Sequence, residues 1–213
     1  MAAREYGQYC GLTRAVELIG ERWALLIVRD LLVGPRRYGE LAAGLPRIPS
    51  NILATRLKEL QQAGVLRRVP HSRVIVYELT PYGRELEPVV LALGAWGFKA
   101  MGDPRPEQIV TSDSMTIALR TAFRPRVAGE LPPTAYEAHF GSAELLVRVD
   151  GSSLDVSRGS GPADLAFAAG PGIRAVISGE LSAGLALSTG VVEVLSGRSE
   201  LLSRFANTFH LAA

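Results

Sequence analysis

Between Pro49 and Gln62 the chain reads Pro-Ser-Asn-Ile-Leu-Ala-Thr-Arg-Leu-Lys-Glu-Leu-Gln-Gln. Wound as a helix at about 100° per residue, this segment puts Leu53, Leu57 and Leu60 on one side and Asn51, Thr55, Lys58 and Gln62 on the other. A row of amide, hydroxyl and ammonium groups can hydrogen-bond base edges and neutralise phosphates, and an α-helix fits the major groove of B-DNA. Ser50 opens the same segment. Basic side chains flank it: Arg36 and Arg37 ahead, Arg47 just before, and Arg67, Arg68 and Arg73 after it. A polar helix face taken alone is only a solvated face. Its meaning depends on the elements around it.

Helices are expected over residues 12–19, 23–33, 38–45 and 49–62. The second is apolar nearly all round and should be the buried centre. Pro49 starts the fourth and Gly64 stands just past its end, the usual asymmetry of helix termini. Residues 65–69 and 74–79 are rich in β-formers around Pro70-His71-Ser72-Arg73, a hairpin with a basic tip. Thr80-Pro81 opens a last helix, residues 82 to about 101, with Leu86, Val89, Val90, Leu93 and Trp96 along one apolar stripe. Short helix, turn, polar-faced helix, glycine and basic hairpin, in that order, point to a winged helix-turn-helix that reads double-stranded DNA.

Charge divides unevenly. Residues 1–104 carry 14 Lys and Arg against 10 Asp and Glu, whereas residues 105–213 carry 9 against 11. Gly102-Asp103-Pro104-Arg105-Pro106 forbids a continuing helix. The expected organisation is therefore a DNA-binding and dimerisation domain over residues 1–102, a linker over 103–110, and a second domain over 111–213. In that second half, helices are expected over residues 114–123, 172–177, 183–187 and 199–209. Strands are expected over 135–140, 144–149, 154–158, 164–168 and 191–195. The fold class is α+β, the second domain being a sheet layered with helices.

Enzyme chemistry finds no constellation. His71, His139 and His210 form no ligand-spaced pair, and no nucleophile elbow, zincin motif or phosphate loop is present. No catalytic residue, metal site or cofactor is expected. One cysteine, Cys10, excludes an internal disulfide. No apolar run approaches the ~20 residues needed to span a bilayer, and the first residues lack the apolar core of a signal peptide. The expected location is cytoplasmic.

Several blocks carry a resemblance. Cys10-x3-Arg14-Ala15-x2-Leu18-Ile19-Gly20-x-Arg22-Trp23 and Gly34-Pro35-Arg36-Arg37-Tyr38-x-Glu40-Leu41 are two of them. Arg56-Leu57-Lys58-x-Leu60 with Gly64-Val65-Leu66, and Tyr77-x-Leu79-Thr80-Pro81-x-Gly83, are the others. Together they resemble the HxlR-type winged-helix regulators, relatives of the MarR group, over about residues 6–100. The resemblance implies a homodimer formed through the first and last helices of this domain, the Leu86–Trp96 stripe serving as seam. It also implies a near-palindromic operator read by two helices about 34 Å apart. Family members often carry Cys-Pro where this chain has Cys10-Gly11, and for some the resemblance implies oxidant or electrophile sensing. Cys10 is thus either a redox site or a small buried side chain.

The tail is similar to sterol-carrier-protein domains at Asp164-Leu165-Ala166-Phe167, Gly179-x-Leu181-Ser182, Gly190-Val191-Val192-Glu193-Val194 and Ser199-x-Leu201-x2-Phe205. This similarity implies an apolar cavity for a hydrophobic small molecule. Phe123, Phe140, Leu146, Phe167, Ile177, Leu185, Leu187, Phe205 and Phe209 are candidate lining residues, although a domain this small needs most of its large apolar side chains for ordinary core packing. The implied function is a DNA-binding regulator, a repressor, whose operator affinity such a ligand changes. The alternative is sensing through Cys10, with the second domain stabilising the dimer or holding a protein partner.

Overall fold

The computed structural model describes residues 5–102, 105, 107–170 and 172–212. They fall into two compact units, residues 1–90 and 91–213. In the first unit α1 (Gly11–Ile19), α2 (Ala24–Val33), α3 (Tyr38–Gly44) and α4 (Ser50–Gln62) precede the hairpin β1 (Leu66–His71) and β2 (Val74–Leu79), followed by α5 (Pro81–Arg84). The apolar α2 is central: Ile27, Val28 and Leu31 are fully buried, with Leu41, Leu53, Leu57 and Leu60 from α3 and α4. Each such side chain contributes about 1.5–3 kcal/mol by leaving water. Trp23, expected as the first residue of α2, instead precedes it in a left-handed conformation, φ +81°.

The single helix expected over residues 82–101 is two helices. After α5, Glu85 and Leu86 form a turn, and α6 (Glu87–Phe98) begins anew. Pro88 is the cause. It has no N–H to donate to the carbonyl of Arg84, and its ring crowds that carbonyl. Thr80 caps α5, its Oγ1 accepting the Gly83 amide at 3.0 Å. Gly83 is required by packing: a Cβ there would stand 2.0 Å from the Val65 carbonyl oxygen.

By compactness the division falls inside α6, between Val90 and Leu91, ahead of the linker expected over residues 103–110. The second half of α6 packs within the second unit, where a Cβ on Gly94 would lie 3.1 Å from Thr121 Oγ1. Phe98 and Val110 lean on that unit's core. Of the expected linker, residues 103, 104 and 106 lie outside the described residues.

The second unit holds α7 (Ser112–Ala122), α8 (Pro125–Gly129), β3 (Thr134–Phe140), β4 (Ala143–Asp150), β5 (Ser153–Arg158) and β6 (Leu165–Ala169). Then come α9 (Ile173–Ser178), α10 (Ala183–Ser188), β7 (Val192–Gly197) and α11 (Leu201–Thr208). The sheet order is β5-β4-β3-β6-β7, with β3 and β6 parallel and the other pairs antiparallel. Alternation directs Tyr136, Ala138, Phe140, Leu145, Val147 and Phe167 into one core with Leu119, Ile173, Ile177, Leu202 and Phe205 from the helices. Phe205 meets Tyr136 and Phe167 edge-on, centroids 5.2 and 5.1 Å away, the geometry aromatic quadrupoles favour. Burial pushes the Tyr136 hydroxyl up to about 12. The intervening positions of β3 place Glu137 and His139 on the opposite face, His139 Nε2 lying 2.8 Å from Glu137 Oε1.

The α+β class therefore holds, and all five expected strands are present within two residues of their expected bounds. Helix α8 was not expected, because Pro125, Gly129 and the following Pro132-Pro133 read as loop.

Candidate nucleic-acid interface

Leu53, Leu57 and Leu60 bury the inner side of α4. Two polar contacts fix its direction. Tyr38 at the start of α3 donates its hydroxyl to the Ser50 carbonyl at 2.8 Å, joining the two helices where the second begins. Arg56 donates Nη2 to Glu21 Oε2 at 2.8 Å and Nε to the Arg22 carbonyl at 3.2 Å, and also pairs with Glu59. Arg56 thus clamps α4 to the turn after α1.

That clamp rotates the accessible face. Exposed on α4 are Ser50, Asn51, Ala54, Lys58, Gln61 and Gln62, whereas Thr55 and Glu59 are half-buried. The Thr55 hydroxyl, expected to read bases, donates to the Asn51 carbonyl at 2.8 Å, one turn back in its own helix. Ala54 and Gln61 take its place in the exposed row. The face is turned by about 40° from the one drawn opposite the leucines, because Glu21 and Arg22 cover the Arg56–Glu59 side.

The hairpin pairs Leu66 with Leu79 through to His71 with Val74. Arg36 adds one rung: its amide donates to the Tyr77 carbonyl at 3.0 Å and its carbonyl accepts the Tyr77 amide at 2.7 Å. The Arg36 side chain is half-buried and donates to the Pro35 carbonyl at 2.8 Å, so its main part in the site is structural. Ser72 turns the tip with φ +55° and leaves Arg73 exposed beside it. Arg68 is exposed, while Arg67 is tied to Glu78 at 2.7 Å. Arg37 and Arg47 are exposed on either side of α3. A hollow of about 400 Å³ between α4 and the hairpin is lined by Tyr38, Lys58, Gln61, Gln62, Arg68 and Tyr77 among others. Two cations and two amides thus share one concave wall, chemistry suited to a phosphate backbone beside base edges.

The expected dimer stripe is divided. Val90 is only 8% exposed and packs within its own chain, so it is not a surface contact; Leu86 is half-buried. Val89 and Leu93 are exposed, and Trp96 is 75% exposed. Tyr6, Tyr9, Leu12 and Val16, leading into and along α1, are exposed as well.

Cys10 is not the small buried side chain that one reading expected. It is exposed and stands immediately before α1, where the backbone N–H groups of Thr13 and Leu12, then the Thr13 side chain, hold its thiol below the ordinary value.

In the second unit, Phe167, Phe205 and Phe209 lie in the core, Phe123 is half-buried against it, and Leu185 is exposed. Phe140 and Ile177 line a cavity of about 730 Å³. Among the described residues no group of His, Cys, Asp and Glu is placed to hold a metal ion, and no helix is long and apolar enough to cross a membrane.

Comparison with known proteins places this geometry. Residues 18–104 match the family of HxlR-like helix-turn-helix proteins. The HTH-type transcriptional regulator Rv3095 of Mycobacterium tuberculosis is 44% identical over 97 residues, 44% of this chain and 60% of that relative. The HTH-type transcriptional regulator YvaP of Bacillus subtilis is 40% identical over 86 residues, 39% of this chain and 80% of that relative. Among solved structures, reduced YodB from B. subtilis is 33% identical with a TM-score of 0.39, covering 46% of this chain and 100% of that one. With a winged helix-turn-helix built around α3, α4 and the β1–β2 hairpin, and 40% identity to YvaP across 80% of that relative, the chain belongs to the HxlR-like helix-turn-helix family.

Proposed function

We propose that this protein is a homodimeric transcriptional repressor that grips a near-palindromic operator through α4 and the hairpin, and that a hydrophobic small molecule in its second unit modulates that grip. One observation carries the DNA reading: Asn51, Ala54, Lys58, Gln61 and Gln62 form an exposed face beside a hairpin that presents Arg68 and Arg73. Lys58 and the arginines supply phosphate contacts; Asn51 and Gln61 supply the amides that discriminate bases. Exposed Val89, Leu93 and Trp96 on α6, with Leu12 and Val16 on α1, supply the apolar surface for the dimer. The sterol-carrier resemblance of the tail and the cavity in the second unit support the ligand. Such a ligand acts only through unequal affinity for DNA-competent and incompetent arrangements. The test is selection of bound fragments from genomic DNA, with and without cell extract. Recovery of a two-fold symmetric motif that extract releases is expected; recovery without sequence preference would overturn the operator reading.

A second reading rests on Cys10. An exposed thiol whose pKa is lowered by helix-start amides has more thiolate near neutrality than a free cysteine. Its alkylation should therefore persist to lower pH than that of a model thiol. If peroxide or a quinone releases operator from wild type and Cys10→Ser abolishes the response, the thiol is a sensor. Release that survives Cys10→Ser removes this reading.

A further inference from the structure

Glu21 to Ala24 form the tight turn between α1 and α2. The Ala24 amide donates to the Glu21 carbonyl at 3.0 Å, and the Trp23 carbonyl accepts the Ile27 amide at 3.0 Å as α2 begins. Trp23 is the third residue of the turn, with φ +81° and ψ −20°, whereas Arg22 keeps a negative φ. That combination is a type II turn, whose third position ordinarily takes glycine because a side chain there crowds the backbone. Types I and II differ by a flip of the central peptide. The left-handed Trp23 therefore decides which way the Arg22 carbonyl points. It points to α4, where Arg56 Nε donates to it at 3.2 Å.

Two further contacts complete the arrangement. Arg56 Nη2 donates to Glu21 Oε2 at 2.8 Å, so one guanidinium takes both a carbonyl and a carboxylate of the same turn, while Glu59 holds its Nη1. Arg22 lays its own guanidinium over the Trp23 ring, 5.1 Å from the centroid. The Arg56 side chain is only 14% exposed and has no place in the row of Asn51, Ala54, Lys58, Gln61 and Gln62. A bulky residue persists in a left-handed conformation only where its surroundings over-determine it. What this one supplies is an acceptor aimed at the recognition helix.

We infer that the type II turn at Glu21–Ala24 determines operator specificity from outside the exposed face: by presenting the Arg22 carbonyl and the Glu21 carboxylate to Arg56, it fixes the roll of α4 about its leucine edge. Glu21, Trp23 and Arg56 are positioning residues. The inference deepens the DNA reading above and rests on it. With the central peptide reversed, the Arg22 carbonyl leaves Arg56, and the flank of α4 carrying Thr55 and Glu59 loses its cover. Phosphate attraction tolerates a small roll of the helix; hydrogen bonds to base edges, being directional, do not.

The test compares Trp23→Gly with Trp23→Val in the full chain. Both remove the ring, but glycine accepts φ +81° freely and a β-branched residue opposes it. The readout is the ratio of affinities for the selected operator and for a shuffled duplex of the same composition, each titrated with salt. Trp23→Gly should keep the wild-type ratio. Trp23→Val should lower it about tenfold, the discrimination carried by one misplaced base contact, while shuffled-duplex affinity and its salt slope stay unchanged. Glu21→Gln and Arg56→Lys should each lower the ratio likewise, and the double variant no further than the worse single, since both break one contact. Ile27→Val, a small loss in the buried face of α2, controls for stability and should leave the ratio alone. Equal ratios in Trp23→Gly and Trp23→Val, whether high or low, overturn the part played by the turn, as does an equal fall in Ile27→Val. Additive effects of Glu21→Gln and Arg56→Lys, or none, overturn the link through Arg56. Should Trp23→Val fail to fold, that pair and its double variant decide. A wild type that prefers no duplex removes the operator reading and this inference together; one that discriminates no better than Trp23→Val removes this inference alone.

Discussion

Lys58 and Arg73 are exposed cations on the two elements that face a duplex in the proposed complex. Replacing either with Ala should weaken binding to all sequences alike and reduce the slope of log affinity against log salt by about one. Salt titration of operator binding measures this. Thr55→Val should leave operator preference unchanged, because the hydroxyl it removes is engaged by the Asn51 carbonyl. Asn51→Ala should relax preference at one base pair per half-site, at a cost of about 1–3 kcal/mol, read by competition between operator variants. The leucine edge of α4 was legible in the sequence because burial follows the 3.6-residue period. The orientation of the polar edge was not. It depends on Arg56 reaching residues 21 and 22, a contact between positions 34 and 35 residues apart that no local spacing encodes.

At the scale of elements, Arg56 and Gly83 do comparable work by different means. Arg56→Ala should cost about 1–3 kcal/mol in denaturant unfolding, since it leaves Glu21 and Glu59 without their shared cation in a half-buried site. Gly83→Ala forces a methyl against the Val65 carbonyl, so β1 or α5 must shift; a lowered melting temperature with loss of DNA binding is the expected result. Strand positions were legible because apolar and polar residues alternate in β3 and β4. The break before α6 could have been read from Pro88, whose position inside an apolar stripe hid it. Helix α8 has five residues, one of them Pro and one Gly, and helical propensity over so short a stretch is silent.

For the whole molecule, the proposed dimer seam falls on the exposed side chains of α6. Trp96→Ser together with Leu93→Asp should convert a dimer into a monomer by light scattering and weaken operator binding by more than either single change. A chain that remains dimeric would move the seam elsewhere. The placement of the boundary at residue 103 came from the prolines of the connecting stretch, which are visible in sequence. The close approach of Gly94 to Thr121 that draws half of α6 into the second unit is not.

Shared ownership of α6 has a practical consequence for anyone who would separate the halves. A fragment cut at Val90 keeps a single turn of that helix, too short to persist without packing, and should lose Val90 from its own core. One cut after Phe98 retains the helix but exposes Trp96 and Leu93 on a smaller body. It should be recovered folded only as a self-associated species, and the shorter fragment should precipitate or be digested.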